Sequence, residues 1–152
     1  MIAYPDTSFL MALYRRQVNS LEAIRHFGTM TEPLHVSSLV LFELRQSIRL
    51  QVFLHEKNPK QGFDRITGQV AFAKLKANMA SGGLMAVTAD WEDVLQIGER
   101  ISDKHTPREG HRSFDVLHVA TAVELGAKEF LTFDAKQGAL AKAVGLKLPL
   151  AR

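Results

Sequence analysis

The chain has 152 residues, 46% of them hydrophobic, which is the length of one domain and enough to bury a core without external staples. It contains no cysteine, which excludes a disulfide framework, a zinc–thiolate site and a cysteine nucleophile, and agrees with a reducing compartment, the cytoplasm by default. The formal net charge of +3 and the pI near 9.3 are a mild basic excess that favours a polyanionic partner without requiring one.

The opening MIAYPDTSFL has no basic segment ahead of an apolar stretch, and charges interrupt every apolar run well short of membrane-spanning length. A non-exported protein with no membrane association is expected. IAYP at 2–5 reads as a first strand, with TSFLMALY as the helix behind it, and LHVS at 34–37 as a second strand. SSLVLFELRQSIRLQVFL at 37–54 carries Leu41, Leu44 and Ile48 at helical spacing, behind Ser37 and Ser38 as N-cap candidates, so it reads as a long helix with Arg45 and Arg49 on its polar side. HEKNPKQGFD at 55–64, with Pro59 and Gly62, is a polar turn before a helix over roughly 65–80 that the glycine pair at 82 and 83 ends.

LMAV at 84–87 is a third strand, and Asp90 opens a helix that runs to about residue 102. KHTPREGHR at 104–112 gathers Lys104, Arg108 and Arg112 with two histidines against a single Glu109, and reads as a basic loop. SFDVLHVATAVEL is the next helix, closed by Gly126 as a C-cap. EFLTF at 129–133 is a fourth strand, followed by the helix AKQGALAKAVG, and LKLPL at 146–150 is a weak fifth. Strands alternating with helices predict an α/β fold: one domain over 1–152, with a central parallel sheet of four to five strands flanked by helices.

In open parallel sheets the working crevice lies beyond the carboxyl ends of the strands, where loops and helix N-termini converge. Asp6 and Asp134 directly follow strands, Glu43 lies one to two turns into the helix after the second strand, and Asp115 lies in the first turn of the helix before the fourth. All four can face one edge. Asp6 and Asp134 also suit plain helix capping, and Asp115 suits a helix dipole. Yet VLHVATAV behind Asp115 has no formal charge, so its helix should be buried and a carboxylate at its head costly to desolvate without a cation or several donors. Glu43 has no local partner, since its helical neighbours are Val40, Ser47 and Leu50. Asp90 also follows a strand, but Asp90, Trp91 and Glu92 look like an ordinary helix start.

Carboxylates gathered at neutral pH repel one another, and a hard divalent cation such as Mg²⁺ or Mn²⁺ relieves this while leaving coordination positions for water and phosphate oxygens. The chemistry that follows is metal-assisted hydrolysis of a phosphodiester. A phosphate-binding loop of the G-x-x-x-x-G-K-[ST] type and a G-x-G-x-x-G fingerprint are both absent. A haloacid-dehalogenase-type phosphotransferase needs a second Asp where this chain has Ser8.

Three stretches together resemble the PIN-domain family, the ribonuclease fold shared by VapC-type toxins. They are IAYPDTSFLMALY, HVSSLVLFELRQSI and GHRSFDVLHVATAVELGAKEFLTFDAKQGALAKAVGLKL, somewhat under half the chain, while residues 55–110 match only in element type and length. The resemblance implies Asp6 and Asp115 as metal ligands for Mg²⁺ or Mn²⁺, and Glu43 and Asp134 completing the catalytic acids. It implies Ser8 and Thr132 as hydroxyls that bond a carboxylate or bound water, and Arg112 as a phosphate contact. It further implies single-stranded or looped RNA as substrate, 5′-phosphate and 3′-hydroxyl products, a homodimer, and inhibition by a small VapB-like antitoxin laid across the acidic groove. The basic stretch at 104–112, with Arg15, Arg16, Arg45 or Arg49, is a candidate for RNA backbone contacts. A housekeeping RNA-processing nuclease and a non-catalytic RNA-binding module of the same fold are the alternatives. Pro5 departs from the family pattern by removing a backbone donor beside Asp6, with a small shift of Asp6 as the expected effect.

Overall fold

The structure, a computed structural model, describes residues 2–150. In chain order its elements are β1 (Ala3–Pro5), α1 (Thr7–Tyr14), α2 (Ser20–Thr29), β2 (Leu34–Ser37), α3 (Ser38–Lys57), α4 (Arg65–Ala80), β3 (Leu84–Val87), α5 (Trp91–Glu109), α6 (Ser113–Glu124), β4 (Glu129–Leu131) and α7 (Ala135–Ala143). The α/β class and the parallel pairing agree with the sequence. Helix starts follow side-chain chemistry: Ser37 Oγ accepts from Val40 N at 3.4 Å, and Asp64 Oδ1 accepts from Thr67 N at 2.7 Å. Of the two serines considered for the cap of α3, Ser37 takes the role.

The four strands hydrogen-bond as two parallel pairs, β1 with β4 and β2 with β3. β1 also packs against β2, where Tyr4 Oη and Ser37 Oγ are 2.6 Å apart. Pro5 accounts for part of this division. Asp6 N donates to Leu131 O at 3.0 Å, so the preceding backbone nitrogen turns to the β2 side, and in proline it has no hydrogen to offer there. Asp6 itself stays in register with β4, so the proline leaves the ladder leading to the acid intact. The fifth strand is reduced to one parallel bridge, Glu129 to Lys147, with Phe130 N donating to Lys147 O at 2.9 Å.

Two stretches depart from the sequence expectation. Helix α5 does not stop near residue 102 but runs to Glu109, so Lys104 and Arg108 stand on a helix and only Gly110–Arg112 connects it to α6. Pro107 lacks the N–H that this position would donate one turn back, but buried Ile101 and His105 hold the last turns against the protein, and Gly110 at φ +67° ends the helix. Helix α2 has no clear signal in the sequence. It buries Ala23 and leaves Leu21 and Ile24 exposed, a weak apolar pattern.

The core lies between the strands and α1, α3 and α6, with Tyr4, Phe9, Leu10, Val36, Leu44, Ile48, Phe130 and Leu131 fully enclosed. Side chains of this size each stabilise the fold by about 1.5–3 kcal/mol on burial, so the strand ends that carry the acids are firmly anchored. Tyr4 stacks on Phe130 with centroids 6.1 Å apart, and Phe9 on Phe133 at 6.0 Å, which packs the end of β1 against the end of β4. Among the described residues no helix is long and apolar enough to cross a membrane.

Candidate active site

Asp6 ends β1 and caps α1. Its Oδ1 accepts from Ser8 Oγ at 2.7 Å and Phe9 N at 2.9 Å, and its Oδ2 accepts from Thr132 Oγ1 at 2.5 Å. The residue is only 2% exposed, and burial pushes its carboxyl up to about 6 even though Ser8, Thr132, the Phe9 N–H and nearby His118 all pull it down. Thr132 also reaches the other strand-end acid, because Asp134 N donates to its Oγ1 at 2.9 Å, so one hydroxyl links the two aspartates. Ser8 likewise accepts from Phe133 N at 2.8 Å while donating to Asp6.

Asp134 caps α7 by accepting from Gln137 N at 2.9 Å, and the buried Gln137 amide reaches back to Asp115 O at 3.3 Å. Helices α6 and α7 are thereby tied at their N-terminal ends. Asp115, in the first turn of α6, pairs through Oδ2 with Arg112 Nε at 3.1 Å. The Arg112 guanidinium is held above its ordinary range first by Asp115, then by the charges of Asp134 and Glu43.

Glu43, on α3, accepts at one oxygen from two residues. Thr7 Oγ1 and His118 Nε2 both bond its Oε2. Burial alone would raise the Glu43 carboxyl, but the bonds from His118 and Thr7, with the charges of His118 and Arg112, outweigh it and hold the group below its usual range. The partner absent from its own helix comes from α1 and α6 instead, 36 and 75 positions away.

The fold therefore brings all four acids into one network, with His118 between Asp6 and Glu43 and Arg112 facing Glu43, Asp115 and Asp134. Asp90 stays outside. It is exposed and caps α5 by accepting from Glu92 N and Asp93 N at 3.0 and 3.3 Å. Of the other arginines considered, Arg15 lies 5.2 Å from the Phe63 ring centre and Arg49 5.5 Å from that of Phe72. Beside Thr132 and Asp134 opens a groove of about 580 Å³, lined also by Val18, Glu22, Phe133 and Leu148.

Sequence reasoning misses Thr7, Gln137 and His118. The last has a signal: it follows Asp115 by three positions and so shares its helix face. In the sequence it belongs to an uncharged, apolar stretch that predicts burial, and it is indeed 1% exposed.

Four carboxylates with no thiolate form the donor set of a hard cation, and Arg112 already sets a positive charge against one of them, Asp115. Among the described residues, however, no three Asp, Glu, His or Cys side chains stand at metal-holding distances, and protein donors engage the carboxylates. The donor chemistry fits a divalent cation. The observed spacing is that of carboxylates bonded to Thr7, His118, Arg112 and Thr132.

The PIN domain family model matches residues 3–143. No curated protein is matched by sequence. Among solved structures, the chain is similar to VapC20 of Mycobacterium tuberculosis, a toxin that cleaves the sarcin–ricin loop, with 20% identity, TM-score 0.64, and 90% of this chain and 93% of that one covered. It is also similar to FitAcB from Neisseria gonorrhoeae, at 18% identity and TM-score 0.64 over 97% and 96% of the two chains. FitAB bound to an IR36 DNA fragment matches at 18% and 0.66 over 99% and 97%. At these identities the likeness is one of fold.

Proposed function

Because the chain belongs to the PIN-domain family, we propose that it is a Mg²⁺- or Mn²⁺-dependent endoribonuclease and the toxin of a toxin–antitoxin pair. The observation that carries this reading is the convergence of Asp6, Glu43, Asp115 and Asp134 on one network with a guanidinium drawn into it. A bound cation, held by Asp6 and Asp115 with Glu43 and Asp134 completing the acidic site, would acidify a water and offset the charge that builds on the phosphate.

The chain's own residues do the rest. Ser8 and Thr132 fix both oxygens of Asp6, so its orientation is set before substrate arrives. Glu43, held ionised, is the proton acceptor for the attacking water. Arg112, with a side chain 81% exposed, exchanges Asp115 for a phosphate oxygen and steadies the scissile group. No covalent nucleophile is needed, and the products carry 5′-phosphate and 3′-hydroxyl ends.

The toxin assignment draws support from the toxin named among the similar structures, with a small VapB-like antitoxin and a second copy of this chain as partners. The competing reading is a non-catalytic RNA-binding module, favoured by the saturation of Asp6 with protein donors. Cleavage of a single-stranded RNA by the purified protein, abolished by EDTA and restored by Mn²⁺, separates the two. RNA binding without cleavage in Mn²⁺ would overturn the nuclease reading.

A further inference from the structure

Glu43 and His118 meet in a way that a merely structural ion pair does not require. Both donors to Glu43 converge on Oε2: the Thr7 hydroxyl from α1 and the His118 ring from α6. Among the described residues nothing donates to Oε1, and the side chain keeps 26% of its surface exposed. One carboxylate oxygen is thus anchored in the protein and the other is presented outward.

His118 has no freedom to do otherwise. It is 1% exposed, enclosed by the core beside Tyr4, whose ring centre lies 6.4 Å away. A carboxylate can only accept, so the ring nitrogen facing Glu43 carries the hydrogen, and the other nitrogen, Nδ1, is buried with no partner. Leaving a buried polar atom unpaired has a cost, and the usual occupant of such a core position is an apolar side chain. Glu43 is the only hydrogen-bond partner that this imidazole has among the described residues.

We propose that His118, with Thr7, is a positioning residue that clamps Glu43 by Oε2 and thereby presents Oε1 to the reacting water. The clamp rests on the nuclease reading for its purpose but not for its geometry. Its two prongs come from α1, which Asp6 caps, and from α6, which carries Asp115: Thr7 adjoins Asp6 and His118 lies one helical turn beyond Asp115. Glu43 is thereby aligned to Asp6 and Asp115 at once, although it sits on a third helix.

The test compares His118→Phe, which fills the space without a donor, with His118→Gln, which keeps a terminal N–H. Removing an outer partner of this kind typically lowers activity by about 10–100-fold. His118→Phe is expected to lower kcat for RNA cleavage within that range with KM little changed, and His118→Gln to recover most of it. In a Glu43→Gln background the same His118→Phe change should add little, because the group it positions is already gone. Equal loss in both backgrounds, or a Gln variant as impaired as Phe, would overturn the clamp.

The ring is also read directly, by the imidazole ¹⁵N shifts of the wild-type protein. The expected pattern is a hydrogen on Nε2, perturbed by Glu43→Ala. A hydrogen on Nδ1 alone, or no response to Glu43→Ala, sinks the proposal whether or not the protein cleaves RNA. Absence of cleavage with the expected ¹⁵N pattern sinks the nuclease reading and leaves the clamp standing.

Discussion

The hydroxyl of Thr132 lies 2.5 Å from Asp6 Oδ2 and accepts the backbone N–H of Asp134 at 2.9 Å, joining acids at opposite ends of the sequence through one atom. Thr132→Val keeps the shape but leaves the Asp134 N–H without its acceptor and Asp6 with one donor fewer. The expected loss of stability is about 1–3 kcal/mol. Chemical denaturation checks it, and a variant as stable as the wild type would show that water replaces the hydroxyl without cost.

Asp115→Asn and Asp6→Asn each remove one ligand charge at nearly constant volume. Cleavage of RNA in Mn²⁺ should fall below detection in both, with far-ultraviolet circular dichroism unchanged. A folded double variant that still cleaves, with contaminating nuclease excluded by an independent preparation, would refute the acidic site as the place of reaction.

Burial gives the metal-free protein an unusual pH dependence. The Asp6 carboxyl rises from 3.8 to about 6 on folding, so its contribution is fully present below pH 3.8 and is lost as pH climbs through 6. At about 1.4 kcal/mol per unit this amounts to about 3 kcal/mol. Glu43 acts with the opposite sign, since its folded value is depressed, and it withdraws stability as pH falls below its ordinary 4.5. Melting temperature measured in EDTA between pH 4 and 6.5 should therefore drop more steeply for the wild type than for Asp6→Asn. Parallel curves for the two proteins would count against a buried, strained Asp6.

Arg112 is mostly exposed, and an exposed pair is worth little, so Arg112→Ala should change stability by under about 0.5 kcal/mol. If the guanidinium serves the scissile phosphate, KM for RNA rises several-fold and the dependence of binding on salt weakens. Filter binding at two ionic strengths is sufficient, and unchanged affinity at both would remove Arg112 from the substrate site.

Asp90 offers the contrast, as an acid beyond a strand end that only caps a helix. Asp90→Asn keeps the capping oxygen, so activity should stay within about two-fold of the wild type and stability within a few tenths of a kcal/mol. A loss comparable to that of Asp115→Asn would mean that the site extends to α5.

Much of this arrangement is legible in the chain itself, because its signals are local. Asp6 follows an apolar strand run and precedes a helix, and Asp134 does the same 128 positions later, so both acids declare their place at strand ends before any packing is known. Ser37, Asp90 and Gly126 announce helix ends through the hydrogen bonds or dihedral angles that only a few residue types supply. Sequence and structure part where packing overrules local cues. Pro107 and a run of charges signal a loop, but the buried side of Ile101 and His105 keeps α5 helical to Glu109.

What the sequence determined alone was the order of the elements other than α2, the α/β class and the candidacy of Asp6, Glu43, Asp115 and Asp134, because periodicity, capping and strand-end acids act over a few residues. Which groups those acids touch was decided only by the tertiary structure. The donors to Glu43 lie 36 and 75 positions away and that of Thr132 to Asp6 lies 126 away, distances over which no local pattern constrains a side chain. Burial, set by the whole core, then raised Asp6 and made a histidine from an apolar stretch the partner of Glu43.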